Sequence, residues 1–360
     1  MMDREAIKRH FLLSAGFSDA ERHPLPGDAS TRRYERLTRT DGRTFMLMDQ
    51  VPALDIQPCR RNETEAERQA SGYTAMARLS AGRIEAFVGA AHYLRDQGLS
   101  APEIFEVDTA NGFLISEDLG NDLFARLIEA GADETPLYLS AIEVQARLHD
   151  LTPPAVLDHD WPLLSYDDMA LKTGANLFVE WYPKYDGSVS LSESAVAEWE
   201  AQWAPLRQRA EAGVTVFIHR DYHAENLLWL PHREGVARVG LVDFQDCLRA
   251  HPSWDLLSLL QDARRDVSRD LETVCLDHYF ALRPNIDRAA FMQDYVALAT
   301  LNEARILGVF ARLVTRDNKP RYEAFMPRMW GHIARNIRQP GMEGLRDWFL
   351  RHGFEDRLAI

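Results

Sequence analysis

One short segment limits the possible folds of this chain more than any other. An apolar run at residues 214–218 predicts a strand, and it leads directly into the polar sequence HRDYHAEN, which contains Asp221 and Asn226. A second apolar run, at residues 236–242, predicts another strand that ends at Asp243. Because functional side chains commonly lie on loops at the ends of rigid elements, we expect these three polar residues to belong to one site.

The three side chains form a set that phosphoryl transfer requires. A carboxylate such as Asp221 can orient an attacking hydroxyl and accept its proton, so we predict that it is the catalytic base. Oxygen atoms of Asn226 and Asp243 can hold Mg²⁺ on nucleotide phosphates, because hard cations prefer oxygen ligands. The kinase pattern H-R-D-x-x-x-x-N matches in full, and D-F-G matches in two of its three letters as DFQ. We therefore predict an enzyme that uses ATP and Mg²⁺.

Two other interpretations of this segment stay open at this point. The sequence H-x-D-x-H at His219, Asp221 and His223 can ligate a transition metal, with Asp243 as a bridging ligand, as in metal-dependent hydrolases. The two histidines alternate along an extended segment, however, and no further cluster of His and Asp is spaced to complete a second metal site. The simpler interpretation is a polar loop held by hydrogen bonds from its side chains to its own backbone.

Charge and composition narrow the possible partners and the compartment. The 360 residues include 55 acids and 41 bases, a formal net charge of −14, which argues against a nucleic acid as partner. No apolar run approaches the roughly 20 residues of a membrane span, and the N-terminus lacks the features of a signal peptide. The three cysteines form no CxxC pair, which is typical of a reduced chain. We expect a cytoplasmic monomer with no membrane or nucleic-acid partner.

Strand and helix signals are distributed unevenly along the chain. The predicted strands are short apolar runs near the N-terminus and cover residues 31–37, 44–51, 104–108 and 113–117. The turn pairs Asp41-Gly42 and Asn111-Gly112 predict two hairpins, the second with a type I′ turn. Helical periodicity appears near residues 3–14 and 84–97, and it dominates the later part of the chain.

The motifs and their order resemble the aminoglycoside phosphotransferase-like branch of the protein-kinase-like superfamily. Besides HRDYHAEN and DFQD, the supporting motifs are LHDL at residues 148–151 and HPSWDL at residues 251–256. The resemblance implies an α+β, bilobal protein-kinase-like fold, with a small β-rich N-lobe at residues 1–118 and a large helical C-lobe at residues 119–360. It also implies that Asp255 supports the catalytic loop and does not react.

Within this branch, the sequence is most similar to the anomeric kinases of cell-wall amino sugars. The shared motifs are short and occur in the same order between residues 27 and 317: GDAS, RRY, MLMD, SEDLG, FVEWY, GVFARL and TRD. This likeness implies phosphoryl transfer from ATP to the C1 hydroxyl of N-acetylmuramate or N-acetylglucosamine in peptidoglycan recycling. Another small alcohol (an aminoglycoside, choline or homoserine) and a non-catalytic nucleotide-binding module stay open as alternatives.

One departure from the kinase pattern concerns the third strand of the N-lobe. Kinases carry a lysine there that holds the nucleotide phosphates, whereas residues 44–49 read TFMLMD, and no lysine occurs between Lys8 and Lys172. An inactive pseudokinase is one explanation. We favour another, in which Arg32 or Arg33 supplies the charge, because arginine stays protonated and can bind phosphate with two hydrogen bonds.

The resemblance assigns further residues to the nucleotide and to the substrate. The nucleotide-binding candidates lie in the loop before the first hairpin, on the third strand and in the linker between lobes: Asp28, Ala29, Ser30, Thr31, Arg32, Arg33, Met48, Glu117 and Leu119. The candidates for sugar binding lie in the catalytic loop and in later helices: His223, Glu180, Trp181, Tyr182 and Arg305. Of these, the two aromatic rings can stack on a sugar, and the arginine can bind the carboxylate of muramate. A polar stretch at about residues 60–83 is additional to the kinase pattern, and it either repositions the following helix or forms a lid.

Overall fold

The computed structural model of the protein describes residues 3–26, 32–52 and 56–359. Its α-helices, in chain order, are α1 (Arg4–Ser14), α2 (Glu65–Ser71), α3 (Tyr73–Met76), α4 (Ile84–Asp96), α5 (Phe124–Glu129), α6 (Glu134–His149), α7 (Asp168–Tyr185), α8 (Glu193–Ala212), α9 (Ser253–Leu260), α10 (Arg269–Leu282), α11 (Arg288–Thr315), α12 (Met326–Asn336), α13 (Glu343–Arg351) and α14 (Glu355–Leu358). Its strands are β1 (Glu21–Pro24), β2 (Arg33–Thr38), β3 (Thr44–Asp49), β4 (Ile104–Asp108), β5 (Phe113–Glu117), β6 (Val156–Leu157), β7 (Trp161–Pro162), β8 (Val216–Ile218), β9 (Leu227–Trp229), β10 (Val239–Leu241) and β11 (Leu248–Ala250). Two 3₁₀ helices cover Gly235–Arg238 and Pro320–Phe325.

Five antiparallel strands near the N-terminus form one sheet in the order β1-β2-β3-β5-β4. β2 pairs with β3 from Arg33, which lies opposite Asp49, through to the turn. That turn contains Gly42 at a φ of 83°, a conformation that glycine adopts readily. The hairpin predicted from Asp41-Gly42 is therefore confirmed, and β1 extends the predicted sheet by one edge strand.

Helix α1 covers one face of this sheet. Phe11 and Leu12 of α1 are buried together with Leu37, Phe45 and Leu47 of β2 and β3. Because side chains alternate along a strand, the intervening residues of β2 and β3 point to the opposite face. That second face is therefore left for the pocket described below.

The turn between β4 and β5 differs from the predicted type. It spans residues 109–112, and among these only Gly112 has a positive φ, of 75°. A type I′ turn requires positive φ at both central residues, so this detail of the prediction is wrong, although the hairpin itself is confirmed. Glycine is needed here because a Cβ would collide with the backbone carbonyl of Gln50, whose N–H donates to the carbonyl of Gly112 at 2.9 Å.

The contacts of the chain group it into two compact units. The first unit contains Met1–Val144, Pro154–Leu163 and Ala224–Cys247. The second contains Gln145–Pro153, Leu164–His223 and Leu248–Ile360. These units describe which residues pack together, whereas the predicted lobe boundary between residues 118 and 119 separates a strand-rich part of the chain from a helical part, and that boundary stays a prediction.

An aromatic core holds the second unit together. Phe178 of α7 stacks on Trp199 at 5.3 Å and contacts Trp330, Trp348 and Phe354 edge-on or tilted. Two of the indole nitrogens are hydrogen-bonded to neighbouring helices: Trp348 donates to a backbone carbonyl of α8 at 2.8 Å, and Trp330 donates to a tyrosine hydroxyl of α7 at 3.1 Å. These aromatic contacts pack α7 against α8 and the C-terminal helices.

The additional stretch at about residues 60–83 forms α2 and α3 and ends in a tight loop. Thr64 caps α2 in a reciprocal arrangement with Glu67. In the loop that follows α3, the N–H of Ser80 donates to Asp246 Oδ1 at 2.6 Å. The stretch is thus bonded to the loop after β10, and both predicted roles, repositioning the following helix and forming a lid, stay predictions.

Two sequence-wide features can be checked on the described residues. Over residues 3–26, 32–52 and 56–359, no helix combines the length and the apolarity that a membrane crossing requires. Cys59, Cys247 and Cys275 are buried, and no disulfide bond joins them.

Candidate active site

The catalytic-loop sequence begins at the end of a short ladder in the second unit. β8 pairs with β11, and Ile218 lies opposite Leu248. His219 and Arg220 follow β8 directly. Their backbone N–H groups donate to Asp255 of α9, at 2.6 Å from His219 and at 2.9 Å from Arg220. The buttressing contact that the resemblance implied is therefore confirmed, and it fixes the backbone immediately before Asp221.

Burial dominates the electrostatics of this buttress. Asp255 is fully buried, and burial raises the pKa of its carboxyl to about 7. The two backbone N–H bonds from His219 and Arg220 oppose this rise, while the charge of Asp221 adds to it. The carboxyl is consequently held in a balance between its neutral and its ionised form near neutral pH.

Strained backbone marks both polar loops. Arg220 has a φ of 80° and Asp243 a φ of 66°, values in the left-handed region that non-glycine residues rarely adopt. Such conformations persist only where the surrounding structure imposes them, and they concentrate at functional sites. In each loop the strained residue carries, or directly precedes, a carboxylate that the sequence assigns to chemistry.

The hydrogen-bond partner of His223 defines the tautomer of its imidazole. Its Nε2 lies 3.1 Å from a guanidinium nitrogen of Arg264. Since a guanidinium has no acceptor atom, the imidazole must accept through Nε2, which places its own proton on Nδ1. A ring nitrogen engaged in this way is not available as a metal ligand, so the contact gives no support to the H-x-D-x-H interpretation.

In the first unit, the ladder between β9 and β10 brings the predicted metal ligands together. Leu227 pairs with Leu241, and the N–H of Val242 donates to the carbonyl of Asn226 at 3.2 Å. The side chains of Asn226 and Asp243 consequently reach the same pocket. Asp221 lies in the second unit, five residues before Asn226 along the chain.

That pocket has a volume of about 360 Å³ and is built from the free face of the N-terminal sheet and from β10. The predicted site residues that line it are Arg32, Glu117, Leu119, Asn226 and Asp243. Residues that the sequence did not single out also line it: Tyr34, Arg36, Met46, Ser116, Asp118 and Asn121. The pocket therefore combines apolar with charged lining residues, as is usual for small-molecule and cofactor sites.

Two other nucleotide-binding candidates, Met48 and Arg33, do not line this pocket. Met48 lies in a neighbouring cavity of about 450 Å³ that shares Arg32 with the first one. Arg33 is exposed and does not line either cavity. The loop candidates Asp28, Ala29, Ser30 and Thr31 lie outside the described residues.

Arg32 makes the contacts that distinguish it from its neighbour in sequence. Its guanidinium donates to Asp243 Oδ1 at 2.6 Å and to Gln245 Oε1 at 2.6 Å. Burial disfavours the charge on Arg32, but the Tyr34 hydroxyl and the carboxylates of Asp243 and Asp246 outweigh it, so the pKa of Arg32 is raised. Arg32 is therefore a permanent cation on the pocket wall.

Gln245 replaces the glycine of the kinase D-F-G pattern and has a structural role here. Its amide oxygen accepts a hydrogen bond from Arg32, and its amide nitrogen donates to Asp243 Oδ1 at 3.2 Å. Both contacts fix the direction of the Asp243 side chain. Sequence reasoning noted this departure only as a mismatch, because the partner Arg32 lies far away along the chain.

A second arginine fixes the linker segment at the rim of the same pocket. Arg36 donates to both carboxylate oxygens of Asp118, at 2.6 Å and 3.1 Å, and to Asn121 Oδ1 at 2.9 Å. A fork of this kind orients the backbone between Glu117 and Leu119. The period of two along β2 signals this residue, since Arg36 lies on the same face as Arg32.

The residues present fit a divalent cation that is shared with phosphate. Asn226 and Asp243 supply oxygen atoms, which suit Mg²⁺ or Ca²⁺. Among the described residues, no group of three or more His, Cys, Asp or Glu side chains is arranged to hold a metal ion. A pair of oxygen donors is the usual protein contribution where phosphate oxygens and waters complete the coordination.

The candidates for sugar binding lie in different environments. Tyr182 is 1% exposed, and its ring lies among Phe178, Trp330 and Phe354, so it belongs to the aromatic core and offers no face to a ligand. Trp181 is half-buried, and the ammonium of Lys184 lies 4.1 Å from the centre of its ring. We therefore leave Tyr182 out of the proposed site.

Of the other two candidates, Glu180 is exposed and lies 3.7 Å from Lys184. Arg305 is half-buried on α11, where its Nε donates to Asn302 Oδ1 at 3.0 Å.

Solved structures of other proteins share the fold of this chain. An amicoumacin kinase in complex with AMP-PNP, Ca²⁺ and Ami matches with a TM-score of 0.55 at 16% identity, over 94% of this chain and 97% of that chain. An ADP-bound aminoglycoside phosphotransferase matches with a TM-score of 0.55 at 13% identity, over 93% and 99% of the two chains. At these identities the likeness concerns the fold alone, and it confirms the predicted α+β kinase-like fold.

The family follows from the sequence comparisons. The model of the phosphotransferase enzyme family matches residues 21–292, so the chain belongs to this family. A protein of Caulobacter vibrioides named N-acetylmuramate/N-acetylglucosamine kinase is 54% identical over 353 residues, which are 97% of each chain. A protein of Pseudomonas aeruginosa with the same name is 28% identical over 334 residues, covering 91% of this chain and 87% of the relative.

Proposed function

We propose that the protein is an ATP-dependent kinase that phosphorylates the C1 hydroxyl of N-acetylmuramate or N-acetylglucosamine. The observation that carries the proposal is the 54% identity, over 97% of both chains, to a relative named as a kinase of these two sugars. The catalytic-loop sequence and the pocket around Arg32, Asn226 and Asp243 support the same chemistry. Recycling of cell-wall amino sugars, by a monomer in the cytoplasm, is the role that this reaction suggests.

In this proposal each polar group has a separate task. Asp221 accepts the proton of the C1 hydroxyl while that oxygen bonds to the γ-phosphorus and ADP leaves. Asn226 and Asp243 hold Mg²⁺, which when bound neutralises charge on the nucleotide phosphates. Arg32 takes the place of the kinase lysine, and the backbone of Glu117 and Leu119 offers the adenine one acceptor and one donor.

An anomeric acceptor suits a site with a modest base. The C1 hydroxyl of a free sugar is more acidic than an ordinary alcohol, because the ring oxygen withdraws electron density. Asp221 then has less proton abstraction to perform, and the site acts mainly by positioning and charge neutralisation.

The test is an acceptor panel with ATP and Mg²⁺, in which ADP release is measured. It contains both free amino sugars, their 1-O-methyl glycosides, an aminoglycoside, choline and homoserine. We expect turnover of the free sugars only, with a product whose phosphorus couples to the anomeric proton in NMR spectra. Equal turnover of the methyl glycosides would place the transfer on C3, C4 or C6. Turnover of the aminoglycoside alone would refute the proposal and identify the protein as an aminoglycoside kinase. Nucleotide binding without any turnover would favour a non-catalytic module.

A further inference from the structure

Arg305 carries a charge that the surrounding protein leaves unmatched. It lies half-buried on α11, and within the described residues its one hydrogen bond is from Nε to the neutral side chain of Asn302 at 3.0 Å. Over the described part of the chain, no carboxylate forms an ion pair with it. Since a partly buried guanidinium without an anionic partner is costly, its two terminal nitrogens are suited to receive an anion.

A second polar group near Arg305 is also unmatched. Tyr166 is 1% exposed, and its hydroxyl has no hydrogen-bond partner within the described residues. Buried hydroxyls are normally hydrogen-bonded, so an exception requires an explanation. A ligand atom that accepts from this hydroxyl would complete its hydrogen bonding.

Gly174 of α7 brings the two groups to one place. A Cβ at this position would lie 3.0 Å from Cδ of Arg305 and 3.7 Å from the hydroxyl of Tyr166. The arginine stem therefore packs closely on Gly174, which has no side chain to exclude it, and the hydroxyl of Tyr166 lies beside the same position. Both donors thus belong to side chains that meet at Gly174.

Tyr166 also connects this place to the catalytic loop. The guanidinium carbon of Arg220 lies 5.0 Å from the centre of the Tyr166 ring. The same ring contacts Trp254 edge-on at 4.5 Å, and the indole of Trp254 donates to the carbonyl of Arg220 at 3.3 Å. Tyr166 thus packs on Arg220, the residue that directly precedes Asp221.

We propose that Arg305 and the hydroxyl of Tyr166 bind the lactyl carboxylate of N-acetylmuramate and so determine acceptor preference. This inference rests on the proposed function. N-Acetylglucosamine has a plain hydroxyl where muramate carries the lactyl ether, so it gains nothing from these two donors. The site then favours the acidic sugar by a charge-assisted contact that does not touch the reacting C1 hydroxyl.

The test compares the two sugars on matched variants. We expect Arg305→Gln to lower kcat/KM for N-acetylmuramate by about 10- to 150-fold and to change it less than threefold for N-acetylglucosamine. Arg305→Lys should recover part of the loss, and Tyr166→Phe, which keeps the ring, should lower the value for N-acetylmuramate by about 3- to 10-fold. Arg288→Ala removes an exposed arginine from the start of the same helix and is the control that should leave both values unchanged.

Direct binding separates this inference from the proposed function. Titration calorimetry without nucleotide should give tighter binding of N-acetylmuramate than of N-acetylglucosamine, and Arg305→Gln should abolish that difference. If the wild type phosphorylates neither sugar, the proposed function fails, and calorimetry still decides whether the carboxylate is bound. Equal losses on both sugars would reveal a purely structural role for Arg305, and unchanged preference in Arg305→Gln and Tyr166→Phe would overturn the inference.

Discussion

Arg32 and Asp243 are 211 residues apart along the chain, yet 2.6 Å separates a guanidinium nitrogen of the first from a carboxylate oxygen of the second. The contact joins the start of β2 to the end of β10 within one compact unit. It places a permanent cation and a carboxylate on the same pocket wall, which is the charge pattern that phosphate and a divalent cation require. The missing lysine of β3 is therefore compatible with an active kinase.

The contacts of Arg32 lead to a prediction with a built-in control. Arg32→Ala should raise KM for ATP and lower kcat, because it removes the charge-assisted hydrogen bonds that we propose Arg32 donates to the nucleotide phosphates. Such bonds are worth about 1.5–3 kcal/mol, or roughly 10- to 150-fold. Arg33→Ala should retain nearly normal kinetics, since Arg33 is exposed and lines neither cavity. Steady-state kinetics with varied ATP checks both variants. Normal turnover by Arg32→Ala would show that another group holds the phosphates.

A second prediction concerns the catalytic base. Asp221→Asn should lower kcat by about 10²- to 10⁴-fold, the usual contribution of a general base. Nucleotide affinity should stay within a few-fold, because in the proposed mechanism the carboxylate acts on the acceptor hydroxyl and not on the nucleotide. Asp243→Asn is the matched comparison, since it should weaken the use of Mg·ATP as well. Nucleotide titration beside single-turnover kinetics distinguishes the two, and an Asp221→Asn variant with most of its activity would refute the assignment.

The elements that the sequence predicted well are those with strong local signals. The two hairpins follow from turn residues between apolar runs, and α1 and α4 follow from apolar residues at helical spacing. The support of the catalytic loop by Asp255 could be predicted because Asp255 belongs to the motif HPSWDL, on which the family resemblance partly depends. β1 was missed since its four residues, ERHP, are polar and largely exposed, as is common at a sheet edge.

The errors and open choices come from contacts between distant parts of the chain. The choice between Arg32 and Arg33 depends on which face of β2 meets α1, and Gln245 acquires its role only through Arg32. Tyr182 was assigned to the sugar, although its spacing of four from Phe178 on α7 places both on the same face. That face meets the aromatic core, which no pattern within α7 could reveal.

The close contact between α7 and α11 gives a prediction on stability. A Cβ at Gly308 would lie 2.5 Å from the backbone nitrogen of Phe178 and closer still to the backbone carbonyl of Leu177. Gly308→Ala should therefore lower the free energy of unfolding by about 3 kcal/mol or more, because helix backbones cannot yield as side chains do. Gly331→Ala in α12, where a Cβ meets open space, should raise it by about 0.5–1 kcal/mol. Urea unfolding measures both, and equal stability of the two variants would contradict the close packing.

The buried carboxyl of Asp255 predicts how stability changes with pH. Burial raises its pKa from 3.8 to about 7 in the folded protein, so the folded state binds this proton more tightly than the unfolded state does. The stabilisation from this group is complete below about pH 4 and is lost as the pH rises through 7. Relative to Asp255→Asn, which cannot ionise, the wild type should therefore lose up to about 4 kcal/mol of unfolding free energy between these limits. Urea unfolding of both proteins at several pH values from 4 to 8 measures the difference. A difference that stays constant with pH, or that grows in favour of the wild type as the pH rises, would mean that the N–H bonds from His219 and Arg220 keep the carboxylate ionised throughout.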